Sequence, residues 1–98
     1  MATLEDLRKQ IDQLDEQIIE RLAQRFKLIE EVGKIKAKED MNVQDVDRES
    51  RIFNKVEHLA ERYGMDSKAA TQLYRQLMDL VIIRHQEIRR DAASTRKP

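Results

Sequence analysis

The chain has 98 residues, 39% of them charged, with 19 Lys and Arg against 19 Asp and Glu, two Gly, one Pro and no Cys. A length like this makes one domain with a small core, for which a partner chain is an expected source of extra burial; the missing cysteines exclude a disulfide framework, a thiol nucleophile and a Cys-based metal site. A formal net charge of zero argues against a protein built to coat nucleic acid, and the longest apolar run, Leu80 to Ile83, is far short of the roughly 18 residues a membrane helix needs. The N-terminus MATLEDLRKQ lacks a basic segment followed by an apolar one, so no secretory signal is expected and the location is cytoplasmic by default.

Scarce Gly and Pro with abundant Leu, Ile, Ala, Glu, Lys, Arg and Gln predict an all-α chain. From Leu4 the apolar positions Leu7, Ile11, Leu14, Ile18, Leu22, Ile29, Val32 and Ile35 recur at spacings of three and four with one gap, which predicts a single helix over 4–38 capped by Thr3. Gly33 lies inside it at a cost of about 1 kcal/mol relative to Ala. The period fails over EDMNVQD, after which Asp45 or Asp47 caps a second helix carrying Ile52, Phe53, Val56, Leu59, Ala60 and Tyr63 and ending at Gly64. Asp66 or Ser67 caps a third through Ala70, Leu73, Tyr74, Leu77, Leu80, Val81 and Ile88, and residues 91–98 read as a frayed tail of a single 1–98 helical domain.

The first helix would be about 52 Å long, against a radius of gyration of about 13 Å for a compact chain of this size. Its N-terminal half keeps an apolar seam of Leu7, Ile11, Leu14 and Ile18, and a second chain is the simplest cover. Leu80, Val81, Ile82 and Ile83 are apolar around a whole turn, which implies burial on more than one side. The expected architecture is three helices, one very long, in an intertwined helical homodimer.

Charged groups interrupt each apolar stripe. On the first helix the stripe reads Ile18, Leu22, Arg25, Ile29, Val32, Lys36, and eleven residues are three turns to within about 20°, so both cations share a face. The second helix extends Ile52, Val56, Ala60 and Tyr63 back to Glu49, and the third continues Leu77, Val81 and His85 to Ile88. Any one of these positions alone is ordinarily a snorkelling side chain or an ion pair such as Arg25 with Glu49, and His58 and Tyr63 read as structural. Four together are different, because buried charge is costly unless compensated, and a bound anion compensates it. Metal-ligand spacings, phosphate-binding glycine loops and nucleophile elbows are absent from the sequence, so no metal or cofactor is expected.

LRKQIDQLDEQIIERLAQRFKLIEEVGKIKAKED followed by VQDVDRESRI resembles the all-helical chorismate mutase family. That family combines a leading LRxxID.LD segment, an Arg in the middle of the long helix, VGxxK near its end and a V.D..RE loop. The resemblance covers residues 4 to about 90. It implies the intertwined dimer, conversion of chorismate to prephenate in aromatic amino-acid biosynthesis, and two sites per dimer, each with an Arg from the other chain. By position, Arg8 is the borrowed Arg and Arg25 the resident one, both holding substrate carboxylates. Lys36 is implied to contact a carboxylate and the ether oxygen, and Asp45, Arg48 and Glu49 to hold the ring hydroxyl and order the loop.

The third helix departs from the pattern. Where the family commonly has a small hydroxyl residue and, four positions on, a Gln donating to the ether oxygen, gapless counting places Val81 and His85, with Gln86 one residue too late. Relatives that act on isochorismate as a pyruvate lyase, or on 4-amino-4-deoxychorismate as a mutase, differ at such positions, while Glu49 and the intact VQDVDRE favour chorismate mutase. A pericyclic rearrangement of a dianion needs restraint and donors at the ether oxygen rather than a nucleophile or metal, which Arg8, Arg25, Lys36 and His85 suit. Two readings of other classes remain: a silent helical dimer that binds a partner protein, and nucleic-acid binding through Arg84, Arg89, Arg90, Arg96 and Lys97, which the balanced charge disfavours.

Overall fold

A computed structural model describes residues 1–95, which form three α-helices: α1 (Leu4–Lys38), α2 (Val46–Tyr63) and α3 (Ser67–Thr95). All-α is therefore correct, and the three helices fall where the periodicity places them. Arg96 and Lys97, two of the basic residues singled out above, lie outside the described residues.

The helix starts follow from side-chain acceptors. Thr3 Oγ1 accepts from the Asp6 backbone N–H at 3.1 Å while Asp6 Oδ2 accepts from the Thr3 N–H at 3.1 Å, a reciprocal pair that satisfies two N–H groups at the start of α1. The Thr3 backbone N–H, and after it the Thr3 side-chain hydroxyl, hydrogen-bond the Asp6 carboxyl and hold it below its ordinary range. Asp45, not Asp47, caps α2 by accepting from the Arg48 N–H at 3.0 Å, and Asp66, not Ser67, precedes α3 and accepts from the Ala69 N–H at 3.0 Å. Gly64 ends α2 with φ 71°, a left-handed turn that costs glycine little, and the Met65 N–H closes it on the Ala60 carbonyl at 2.8 Å.

The chain divides into two units, residues 1–31 and the residues from Val32 onward. In the first, the seam residues Leu7, Ile11, Leu14 and Ile18 are 47%, 54%, 55% and 54% exposed. In the second, α2 and α3 pack as a helical hairpin around Val56, Ala60 and Ala70, with Ile52 and Tyr74 against them. Alanines at the contact let the helix axes approach closely, and the buried stripe of α3 continues through Met78, Val81, His85 and Ile88.

One expectation needs correction. Tyr63 is 77% exposed: it occupies the last position before the Gly64 turn, past the Ala60–Ala70 contact, and does not extend the buried stripe of α2. On α3, Val81 is buried and Ile82 partly so within one chain, while Leu73, Leu80 and Ile83 are exposed. α3 runs on through Thr95, in keeping with the high helix propensity of Ala92 and Ala93.

Candidate functional site

The segment between α1 and α2 is held from both sides by long cations. Lys36, in the last turn of α1, donates from Nζ to the Val43 carbonyl at 3.1 Å. Arg89 of α3 donates from Nη2 to the Lys36 carbonyl at 2.9 Å and also to the Met41 carbonyl, with its other guanidinium nitrogen 3.9 Å from the Asp40 carboxylate. Asp40 turns the chain with φ 54°, a left-handed conformation that Asp tolerates better than most residues. These contacts supply donors for the Met41 and Val43 carbonyls beyond the helix, and a second donor for the Lys36 carbonyl, which also accepts from the Met41 N–H at 2.8 Å.

This anchored segment lines a pocket of about 370 Å³, whose wall comprises Lys36, Met41, Asn42, Gln44, Asp45, Val46 and Asp47. The predicted residues Lys36 and Asp45 thus share one pocket, where an ammonium and a carboxylate offer a donor and an acceptor to the same small molecule. Arg48, next to the cap, is exposed, and its backbone N–H is the group that Asp45 caps.

Glu49 is buried in the first turn of α2 and is gripped at both oxygens. Gln44 Nε2 donates to Oε2 at 3.0 Å, and Arg75 Nη2 of α3 donates to Oε1 at 3.0 Å. The Glu49 carboxyl is held below its ordinary range chiefly by the Gln44 hydrogen bond; burial opposes this, the Arg75 hydrogen bond and charge reinforce it, and the Asp45 charge opposes it. Glu49 is therefore an acceptor kept ionised by its surroundings.

His85 is 1% exposed and Val81 7%, so both face inward from α3, whereas Gln86 is exposed. That settles which of His85 and Gln86 points away from solvent. The ring lies over Gly33 of α1, where a Cβ would come within 2.7 Å of His85 Cδ2 and 2.6 Å of Ile88 Cδ1. Glycine inside α1 is thus required by close approach, which explains the propensity cost noted from the sequence. Arg25 is half-buried and Arg8 exposed in the first unit.

Among the basic residues of α3, Arg84 pairs with Glu87 at 3.0 Å and Arg89 is taken up by the segment after α1. Gln44 and Arg75 escaped the sequence reading, in which Arg89 figures only as one of the basic residues of a nucleic-acid surface. The Arg75–Asp79 pair at i, i+4 was visible as a spacing, but the partnership of Arg75 with Glu49, 26 positions away, carries no local signal.

The family described as Chorismate mutase type II matches residues 7–87. The chain is 34% identical over 92 residues, 91% of its length, to a bifunctional chorismate mutase/prephenate dehydratase of Aquifex aeolicus, of which it covers 25%. It is 26% identical over 76 residues to a chorismate mutase of Methanocaldococcus jannaschii, covering 78% of this chain and 77% of that protein. Against the bifunctional chorismate mutase/prephenate dehydratase of Escherichia coli K12 it is 30% identical over 82 residues, 84% of this chain and 21% of that protein. The chain thus spans a quarter or less of these two bifunctional relatives.

Proposed function

The chain belongs to the chorismate mutase type II family, and from that premise we propose that it converts chorismate to prephenate, a step of aromatic amino-acid biosynthesis, as an intertwined homodimer with two shared sites. The match over residues 7–87 carries this reading, and the pocket shared by Lys36 and Asp45 agrees with it. In the reaction a carbon–carbon bond forms as the ether carbon–oxygen bond breaks, with no proton gained or lost. Catalysis therefore consists of holding the dianion with its enolpyruvyl arm over the ring and stabilising negative charge that gathers on the ether oxygen.

Arg25 and Arg8 of the partner subunit hold the two carboxylates. Lys36 and His85 donate to the ether oxygen; a histidine this well shielded from water is a donor that solvent does not dilute. Glu49 and Asp45 accept from the ring hydroxyl, Arg48 orders the loop, and Val81 contributes an apolar wall. The exposed seam of Leu7, Ile11, Leu14 and Ile18, joined by Leu73, Leu80 and Ile83 on α3, supports a second copy as the cover, since a run of half-exposed leucines and isoleucines at helical spacing is what a paired helix buries.

Ultraviolet loss of chorismate with identification of the product is the test, run beside isochorismate and 4-amino-4-deoxychorismate because Val81 and His85 depart from the family pattern. Prephenate from chorismate, with slower turnover of the other two, is expected. Preference for either analogue would reassign the substrate, and inertness toward all three would leave a helical dimerisation module.

A further inference from the structure

Glu49 is the acid proposed above to face the substrate, yet its side chain is held from outside its own helix. Gln44 reaches one oxygen from the segment before α2, and Arg75 reaches the other from α3. Arg75 is itself fixed: Nε and Nη2 donate to Asp79 Oδ1 at 3.1 and 2.8 Å, and its guanidinium lies 5.4 Å from the centroid of the Phe53 ring. A planar guanidinium that lies over an aromatic ring and bridges two carboxylates has little rotational freedom left. We propose that Arg75, with Gln44, is a positioning residue for Glu49, clamping both carboxylate oxygens so that their remaining lone pairs point at the substrate hydroxyl.

A carboxylate has about four lone-pair sites, so two donors leave acceptor capacity for the hydroxyl while removing the freedom of the glutamate side chain. Exposure separates geometry from charge. The Arg75 side chain is 41% exposed, that of Asp79 51%, and that of Glu49 10%, so solvent screens the cation and the clamp acts first by position. The charge acts second: Gln44 lowers the Glu49 carboxyl most, Arg75 adds to it, and Asp45 opposes both. Arg75 touches no substrate in this arrangement and works only through Glu49.

The inference rests on the proposed activity, so its test has one arm with substrate and one without. In the whole chain, Arg75→Lys keeps the cation but lacks the planar fork that bridges Glu49 to Asp79, and Arg75→Met removes both charge and fork. The expected result is a fall in kcat of roughly tenfold for each, in proportion to one lost hydrogen bond to a charged group, with KM little changed. Only the Met variant should shift the acid limb of the pH profile to higher pH. In a Glu49→Gln background Arg75→Lys should cost nothing further, because the two act as one unit.

The arm without substrate follows the Glu49 carboxyl by NMR titration in wild type and Arg75→Lys, a variant that retains the ion pair across the hairpin should Arg75→Met fail to fold. A titration below the ordinary glutamate range in wild type, with altered carboxyl shifts in the Lys variant, supports the clamp. Unchanged kcat in Arg75→Lys, or additive losses in the Glu49→Gln background, would overturn it. If wild type leaves chorismate unchanged, the proposed activity has failed while the titration still judges the clamp: identical Glu49 shifts in wild type and Arg75→Lys would reject it.

Discussion

Gly33 on α1 and His85 on α3 are in contact so close that a single added carbon at Gly33 would come within 2.7 Å of the imidazole Cδ2 and 3.2 Å of Nε2. The terminal methyl of Ile88, 2.6 Å from the same point, can rotate aside. The ring has no such freedom, being flat, broad and buried.

Gly33→Ala therefore sets two effects against each other: about 1 kcal/mol of helix propensity gained and about 1–3 kcal/mol of overpacking lost. The expected outcome is a modest net loss in denaturant midpoint with a larger loss in turnover, because relief comes by displacing His85. Greater stability with full activity would show that the ring does not sit against α1. His85→Gln, which restores a donor of the family type, should keep substantial activity where His85→Ala does not.

Arg89 holds the turn after α1 by donating to the carbonyls of Lys36 and Met41. Arg89→Ala leaves both without that donor, and hydrogen bonds from charged groups contribute about 1.5–3 kcal/mol each. Faster amide exchange over residues 39–45 is expected, with a higher KM, since the loosened segment carries the pocket wall. Exchange no faster than wild type would show that Lys36 Nζ and the helix end suffice.

Acid stability depends on Glu49. Its folded-state carboxyl titrates below the ordinary value of 4.5, so its contribution to stability is present in full above that value and disappears as pH falls through the lower folded-state value. Urea midpoints measured at neutral pH and in acid should fall further for wild type than for Glu49→Gln, which has no proton to take up. Asp6 responds in the same sense but is common to both proteins and cancels in the comparison. Equal acid sensitivity in the two proteins would count against an ionised, clamped Glu49.

The exposed seam of α1 predicts obligate dimerisation. Ile11→Lys should dissociate or unfold the chain, and a wild-type chain sedimenting as a fully helical monomer at micromolar concentration would rule out the shared site. Arg25→Ala and Lys36→Ala should each slow turnover by about 10² to 10³, the range for one removed charge-stabilising donor. Arg8→Ala and Arg25→Ala are expected to be inactive alone but to regain about one working site when mixed, provided Arg8 acts across the interface. Mixing that restores nothing assigns Arg8 to its own chain or to no site.

The sequence alone determined the elements of this protein, because helix propensity, three-and-four spacing and capping are local. Thr3 caps α1, Gly64 ends α2, and the inward stripe Val81, His85, Ile88 is legible in the order of the residues. The motifs from LRKQID to VQDVDRE likewise carried the family. What sequence left open were matters between elements: whether Asp45 or Asp47 caps α2, why a glycine stands inside α1, and which groups hold Glu49. Capping is decided by the dihedral angles of one turn, and the Gly33–His85 and Glu49–Arg75 contacts by packing between helices. Such distances depend on how the hairpin and the end of α1 come together, a non-local property that periodicity along one helix does not encode. Tyr63 makes the same point in reverse, since its spacing continues a buried stripe while the place where α3 stops covering α2 leaves it in water.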